Sequence, residues 1–190
     1  IPFFSEKNNG RIEILRTMNY TDYVIGQFME KNKTKKWYDN TIFIFIADHG
    51  FNEFDGMYED PRNAHIPLIF YSPKIITTHE TIPTITSQVD VVPTILHLID
   101  YPYSFDLMGK NIITNNSNGF ASRIVNDYAM WIESNSIYTE IFNQKKEAFQ
   151  YLNIYSNPYK SISNKSLKYM TMENNFHAYL QQAYKYYKNR

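Results

Sequence analysis

The feature that most constrains this chain is the run Thr41-Ile42-Phe43-Ile44-Phe45-Ile46-Ala47, which ends without a spacer on Asp48-His49-Gly50. β-Branched and aromatic residues in unbroken succession favour a strand. Their lack of alternation predicts that both faces are covered, as at the centre of a parallel sheet flanked by helices. In open α/β sheets ligands bind beyond the carboxyl ends of the strands, so the residues directly after the run stand where chemistry is expected. A carboxylate and an imidazole are ordinary ligands of zinc, manganese and related ions, and Gly50 lets the backbone turn sharply or approach a ligand closely. The same residues also have a plainer use, with Asp48 capping a following turn and His49 donating to a loop carbonyl.

The flanking segments suit helices and a second strand. Over residues 11–31, Ile14, Leu15, Met18, Ile25 and Phe28 fall on one helical face while Arg11, Arg16, Gln27 and Glu30 can stay wet, which predicts an amphipathic helix. The polar stretch 31–36 ends it. Residues 51–64 mix Asn, Asp, Glu, Gly and Pro without a period and read as a loop, a common place for function. Its Asp55, Glu59 and Asp60 can attract a cation, but acidic loop residues are ordinarily solvated. His65-Ile66-Pro67-Leu68-Ile69-Phe70-Tyr71 reads as a second strand, which Pro67 confines to an edge or to the start of pairing. Asp90 is expected to cap a helix over 91–99, with Pro93 tolerated in its first turn, so its reading is structural rather than metal-ligating.

Beyond Asn111 the polar cluster 114–119 has the composition of a linker and suggests two parts, residues 1–112 and 120–190. Downstream, residues 127–132, 137–142 and 148–154 read as three short strands of an antiparallel meander. Leu167, Met170, Phe176, Leu180, Ala183 and Tyr187 can share one face of a C-terminal helix, and Tyr179, Tyr184 and Tyr187 are expected to cover a sheet. Lys185, Lys188 and Arg190 would lie near that helix's negative end.

Composition narrows the partners. Lys plus Arg and Asp plus Glu both total 19, so the net charge of zero leaves no electrostatic footprint for nucleic acid or an anionic membrane. With 43% apolar and 20% charged residues the chain has the apolar surface that disordered sequences lack. The absence of cysteine excludes a thiol nucleophile, a thiolate metal site and a disulfide framework. The longest strongly apolar run, residues 42–47, is far short of the roughly 20 residues of a membrane-spanning helix. The chain opens on Ile1-Pro2-Phe3 without an initiator Met, which suggests a processed protein, a cloned domain or a fragment.

The order of these motifs carries a further signal. A helix containing Tyr20-Thr21-Asp22-Tyr23 and Gly26-Gln27-Phe28, followed by the strand that ends on Asp48-His49-Gly50, resembles the sulfatase branch of the alkaline phosphatase superfamily. Within that branch, the segment from His65 through Ser72-Pro73 and the segment Ser87-Gln88-Val89-Asp90-Val91-Val92-Pro93-Thr94-Ile95-Leu96 look most like the lipoteichoic acid synthase, or phosphoglycerol transferase, group. The likeness is clear from about residue 19 to 112.

The resemblance implies an α/β fold: the C-terminal portion of an alkaline-phosphatase-like sheet with flanking helices, then a small antiparallel β extension and a C-terminal helix. It implies a divalent metal (manganese, magnesium, zinc or calcium) held partly by Asp48 and His49. It makes His65 a substrate-binding neighbour that contacts a phosphate or orients a ligand, the alternative being a hydrogen-bonded histidine at a strand entrance. His79, His97 and His177 are expected at the surface or in packing. In the family the nucleophile, a Thr, Ser or modified Cys, and further acidic ligands lie on earlier segments. No Thr or Ser here matches that context, so no catalytic nucleophile is expected in this chain, which alone should be inactive.

The implied chemistry is metal-assisted attack that forms a covalent intermediate, resolved by water or an acceptor alcohol. The parent would then be a phosphoglycerol transferase or phosphate-ester hydrolase. It would be membrane-anchored and extracytoplasmic, act on phosphate or sulfate esters that can be lipid-linked, and be completed by an N-terminal half of the same domain. A sulfate-ester hydrolase is the alternative enzyme, and a non-catalytic binding or assembly module the alternative from another class.

Overall fold

The computed structural model describes residues 10–50, 60–104, 106–114, 119–151 and 160–188, with the backbone alone for 10–13. The predicted loop at 51–59, with Asp55 and Glu59, the stretch 115–118 and the strand reading at 152–154 lie outside the described residues. Two compact units form, one from Ile1–Phe45 and Ile69–His79, the other from Ile46–Leu68 and Glu80–Arg190.

The first unit holds α1 (Gly10–Asn32), a 3-10 turn at Tyr38–Asn40, and all but the residues Ile46 and Leu68 of a two-stranded sheet made by β1 (Phe43–Ile46) and β2 (Leu68–Tyr71). The helix matches the expected amphipathic segment and β2 begins directly after Pro67, as the missing N–H requires. Phe43 is the centre of an aromatic cluster, its ring 5.1 Å from Tyr38, 6.0 Å from Tyr71, 6.2 Å from Trp37 and 6.4 Å from Phe28. Cover on both faces of β1 is not what the structure shows. β1 pairs with β2 alone among the described residues, and its side chains are half-buried, with Ile46 exposed. The apolar residues of α1 are similarly uncovered, Leu15, Met18, Ile25 and Phe28 all being exposed.

In the second unit a 3-10 turn at Gln88–Asp90 runs into α2 (Val91–Leu98). An antiparallel sheet follows in simple order, from β3 (Phe120–Val125), β4 (Tyr128–Glu133), β5 (Ser136–Ile141) and β6 (Lys145–Gln150) to β7 (Lys160–Ser161), with α3 (Leu167–Lys188) last. Val125 pairs with Tyr128 and Glu133 with Ser136, so two-residue loops join these strands. Asn126 and Ser134 begin them at φ 56° and 51°, a backbone region that short polar residues tolerate better than bulky ones.

The strands buried on both faces are β4, whose Tyr128, Ala129, Met130, Trp131 and Ile132 are all buried, and β5, buried from Ser136 through Glu140. Ala129 and Trp131 join Tyr138 and Ala148 under Tyr169, Met172 and Phe176 of α3, while Tyr128, Met130 and Ile132 meet Ile137 and Tyr151 on the opposite face. Period-2 alternation assigns these two sets. β6 starts earlier than expected because Lys146 and Glu147 pair across to Glu140 and Thr139, so cross-strand pairing overrides the loop-like composition of 143–147.

The helix face expected from Leu167, Met170 and Tyr187 is corrected. Leu167 and Tyr187 are 77% and 83% exposed and Met170 is exposed, because the buried stripe is Tyr169-Met172-Phe176, continued by Tyr179 and Leu180. Residues 170 and 172 are about 200° apart on a helix, so choosing one excludes the other. Of the tyrosines expected to cover the sheet only Tyr179 does so, against Phe120 and Trp131; Tyr184 is exposed.

Candidate active site

Beyond the end of β1 the second unit opens a cleft of about 670 Å³, a size ordinary for small-molecule sites. Asp48, His49 and His65 all line it. The His49 backbone N–H donates to Asp48 Oδ1 at 2.9 Å, and His49 Nδ1 lies 2.9 Å from the Gly50 carbonyl. A carbonyl only accepts, so Nδ1 carries a proton, and in the neutral ring Nε2 keeps its lone pair. That nitrogen stands 3.6 Å from Asp48 Oδ2. Two acceptors face each other there, an arrangement that a proton or a cation between them would favour. Tetrahedral Zn–N and Zn–O bonds of about 2.0–2.2 Å put two donors on one ion roughly 3.4 Å apart, so the spacing suits shared coordination. Orientation of a ligating imidazole by a carbonyl at its other nitrogen is the usual supporting arrangement. The side chains are 75% (His49) and 87% (Asp48) exposed. No group of three or more His, Cys, Asp or Glu able to hold a metal exists among the described residues.

The loop presenting this pair is held by neighbours. A Cβ on Gly50 would come within 2.0 Å of the Asn63 carbonyl oxygen, so any larger residue would push the loop off the 3-10 turn Pro61–Ala64. Gln88 Nε2 donates to the carbonyls of Ala47 (3.1 Å) and Asp48 (2.9 Å). Asp60, expected to be solvated, is instead buried. It caps the 61–64 turn through the Arg62 N–H and pairs with the Arg62 guanidinium, which makes it a structural residue. The turn delivers His65, exposed at the cleft wall.

Asp90 is structural but not as the side-chain cap of α2. Ser87 is the N-cap of a capping box in which Asp90 Oδ2 accepts the Ser87 N–H, while Oδ1 accepts the Lys110 N–H. His177 belongs to packing, 2.8 Å from Glu140 Oε2 at the sheet–helix interface.

Two cleft residues were not legible in the sequence. Gln88 sits inside a recognisable helix start, but nothing local reveals its reach across 40 residues to Asp48. Arg123 lies on β3, a strand without a clear sequence signature, and is the one arginine among the described residues that line the cleft.

Comparison with known proteins bears on this geometry. The sulfatase family model matches residues 4–101. The chain belongs to the sulfatase family. It is 30% identical over 133 residues to the lipoteichoic acid synthase-like protein YvgJ of Bacillus subtilis, covering 59% of this chain and 22% of that protein. It is 28% identical over 121 residues to arylsulfatase K of Canis lupus familiaris, covering 60% and 22%. The crystal structure of a protein in the alkaline phosphatase superfamily from Vibrio parahaemolyticus superposes with a TM-score of 0.71 at 22% identity, over 86% of this chain and 39% of that one. The α/β fold of that superfamily is thereby shown, and the chain spans about a fifth of the length of the curated relatives it matches. No helix of the described residues is long and apolar enough to cross a membrane.

Proposed function

We propose that this chain supplies one wall of the active site of a metal-dependent phosphoglycerol transferase or phosphate-ester hydrolase. In this reading Asp48 Oδ2 and His49 Nε2 hold a divalent ion, manganese, magnesium, zinc or calcium. The observation that carries it is their 3.6 Å approach with Nδ1 tied to a carbonyl. Bound there, such an ion would supply Lewis-acid stabilisation of charge on an ester oxygen. The chain's own groups do the rest. Gln88 and Gly50 fix the backbone of the donor pair, and His65 and Arg123 offer hydrogen bonds and positive charge to the non-bridging oxygens of a phosphate or sulfate ester. The nucleophile comes from a further segment of the same domain, which would also cover α1 and β1, and the isolated chain does not turn over. Residues 1–112 are then the C-terminal part of the catalytic domain and 120–190 an extension. The parent works outside the cytoplasm from a membrane anchor, on esters that can be lipid-linked. Similarity to arylsulfatase K supports sulfate-ester hydrolysis as the second reading.

The test is calorimetric titration of the chain with Mn²⁺ and Zn²⁺. One weak site is expected, with binding at least tenfold weaker in Asp48→Ala and in His49→Ala. Unchanged binding in both variants would overturn the assignment. Metal-dependent cleavage of bis(p-nitrophenyl) phosphate or p-nitrocatechol sulfate by the pure chain would overturn its inactivity.

A further inference from the structure

A second open cleft, of about 620 Å³, lies where the β3–β4 hairpin meets α3, and shares only Ser134 with the first. One wall is aromatic. Phe120 stacks on Trp131 at 4.3 Å and 16°, and Tyr179 approaches Phe120 edge-on at 5.3 Å. Leu107 and Met108 extend the apolar lining. The polar side centres on Glu133, whose Oε2 accepts both Trp131 Nε1 at 2.8 Å and Asn175 Nδ2 at 3.1 Å. Both bonds fall on one oxygen, so the carboxylate is fixed in place and Oε1 remains an acceptor. Gln182 adds a neutral amide at the rim.

This chemistry selects among ligands. The carboxylate repels anions, which separates the cleft from one built for phosphate or sulfate esters. A cage around a cation needs several open aromatic faces, yet Trp131 is only 4% exposed under Phe120, which leaves the partly buried Phe120 and Tyr179 as the aromatic wall. Hydroxyl groups, by contrast, match an oriented carboxylate acceptor and amides that both donate and accept, while the C–H faces of a sugar ring match an aromatic and aliphatic wall. We propose that this cleft binds a neutral sugar or polyol, one or two rings in size.

Trp37→Phe leaves Trp131 as the sole tryptophan, since the chain has 2. In that background the chain is titrated with maltose, glycerol and tetramethylammonium, and Trp131 emission is read. A saturable change with maltose in the millimolar range is expected, at least tenfold weaker in Glu133→Ala. It should be abolished in Ala178→Phe, where an exposed α3 residue at the cleft is enlarged without touching the core or adding a tryptophan. Circular dichroism establishes that each variant is folded. No saturable response to maltose or glycerol from the folded chain would overturn the proposal, as would a response to tetramethylammonium alone. Asp48→Ala is expected to leave the maltose response unchanged; its loss there would put the sugar in the other cleft and overturn the assignment.

Discussion

Replacing Asp90 tests how the loop that presents Asp48 and His49 is held. Asp90 is 2% exposed, and its two oxygens accept the Ser87 and Lys110 N–H groups, each at 2.8 Å. A hydrogen bond to a charged group contributes about 1.5–3 kcal/mol, and leaving a buried donor unsatisfied costs about 1–3 kcal/mol. Asp90→Asn keeps one acceptor oxygen and turns an NH₂ toward the other N–H, so one bond is lost, at about 2 kcal/mol. Asp90→Ala loses both, at about 4 kcal/mol, with additivity assumed for two bonds on different segments. With a urea m-value of about 2 kcal/mol/M, the midpoints should fall by roughly 1 M and 2 M. Gln88 stands in the same turn and grips the Ala47 and Asp48 carbonyls, so the Asn variant should also shift the His49 ring resonances in NMR while still folded. Equal midpoints for wild type and Asp90→Asn, or equal losses for the two variants, would refute the two-acceptor argument.

Burial alone pushes the Glu140 carboxyl upward, but hydrogen bonds from Tyr138 and His177 and the charge of Lys146 outweigh it and hold the group below its ordinary 4.5. A depressed folded pKa contributes stability that is present above the unfolded value and lost as pH falls through the folded one. Thermal melts of the chain should therefore lose stability from about pH 4.5 downward, with a smaller loss in Glu140→Gln; matching pH profiles would count against the assignment. Phe176 is fully buried, with ring centroids 5.8 Å from Tyr138 and 6.3 Å from Trp131. Phe176→Ala should lower unfolding free energy by about 3–5 kcal/mol in urea melts, and a loss below about 1 kcal/mol would mean that α3 does not seal the sheet.

Strong local signals were legible in the sequence: the helix of α1, the apolar run of β1, the start of pairing at Pro67 and the strand character of Tyr128–Glu133. What failed depended on partners distant in the chain. The charged start of β6 became a strand because Glu140 and Thr139 lie opposite, and the face of α3 was set by which aromatic stripe fits over Trp131 and Tyr138. β1 misled in the other direction. Its composition describes a strand covered on both faces, and the described chain gives it a single neighbour.

Burial also sorts the acidic residues in a way that sequence position does not. Asp60, Asp90 and Glu140 are buried, and each has its oxygens engaged by an arginine, by backbone N–H groups, or by a tyrosine and a histidine. The desolvation of each carboxylate is offset by bonds within the fold, so removing any of them is a stability event. Asp48 differs. It stands in solvent at the mouth of a cleft, and among the described residues its side chain meets only the adjacent backbone N–H and, at 3.6 Å, His49 Nε2. Folding gains little from that placement, yet Gln88 and Gly50 hold its backbone in position. A side chain that the fold positions but does not use for its own stability is the kind whose loss should change ligand binding and leave the melting transition where it was.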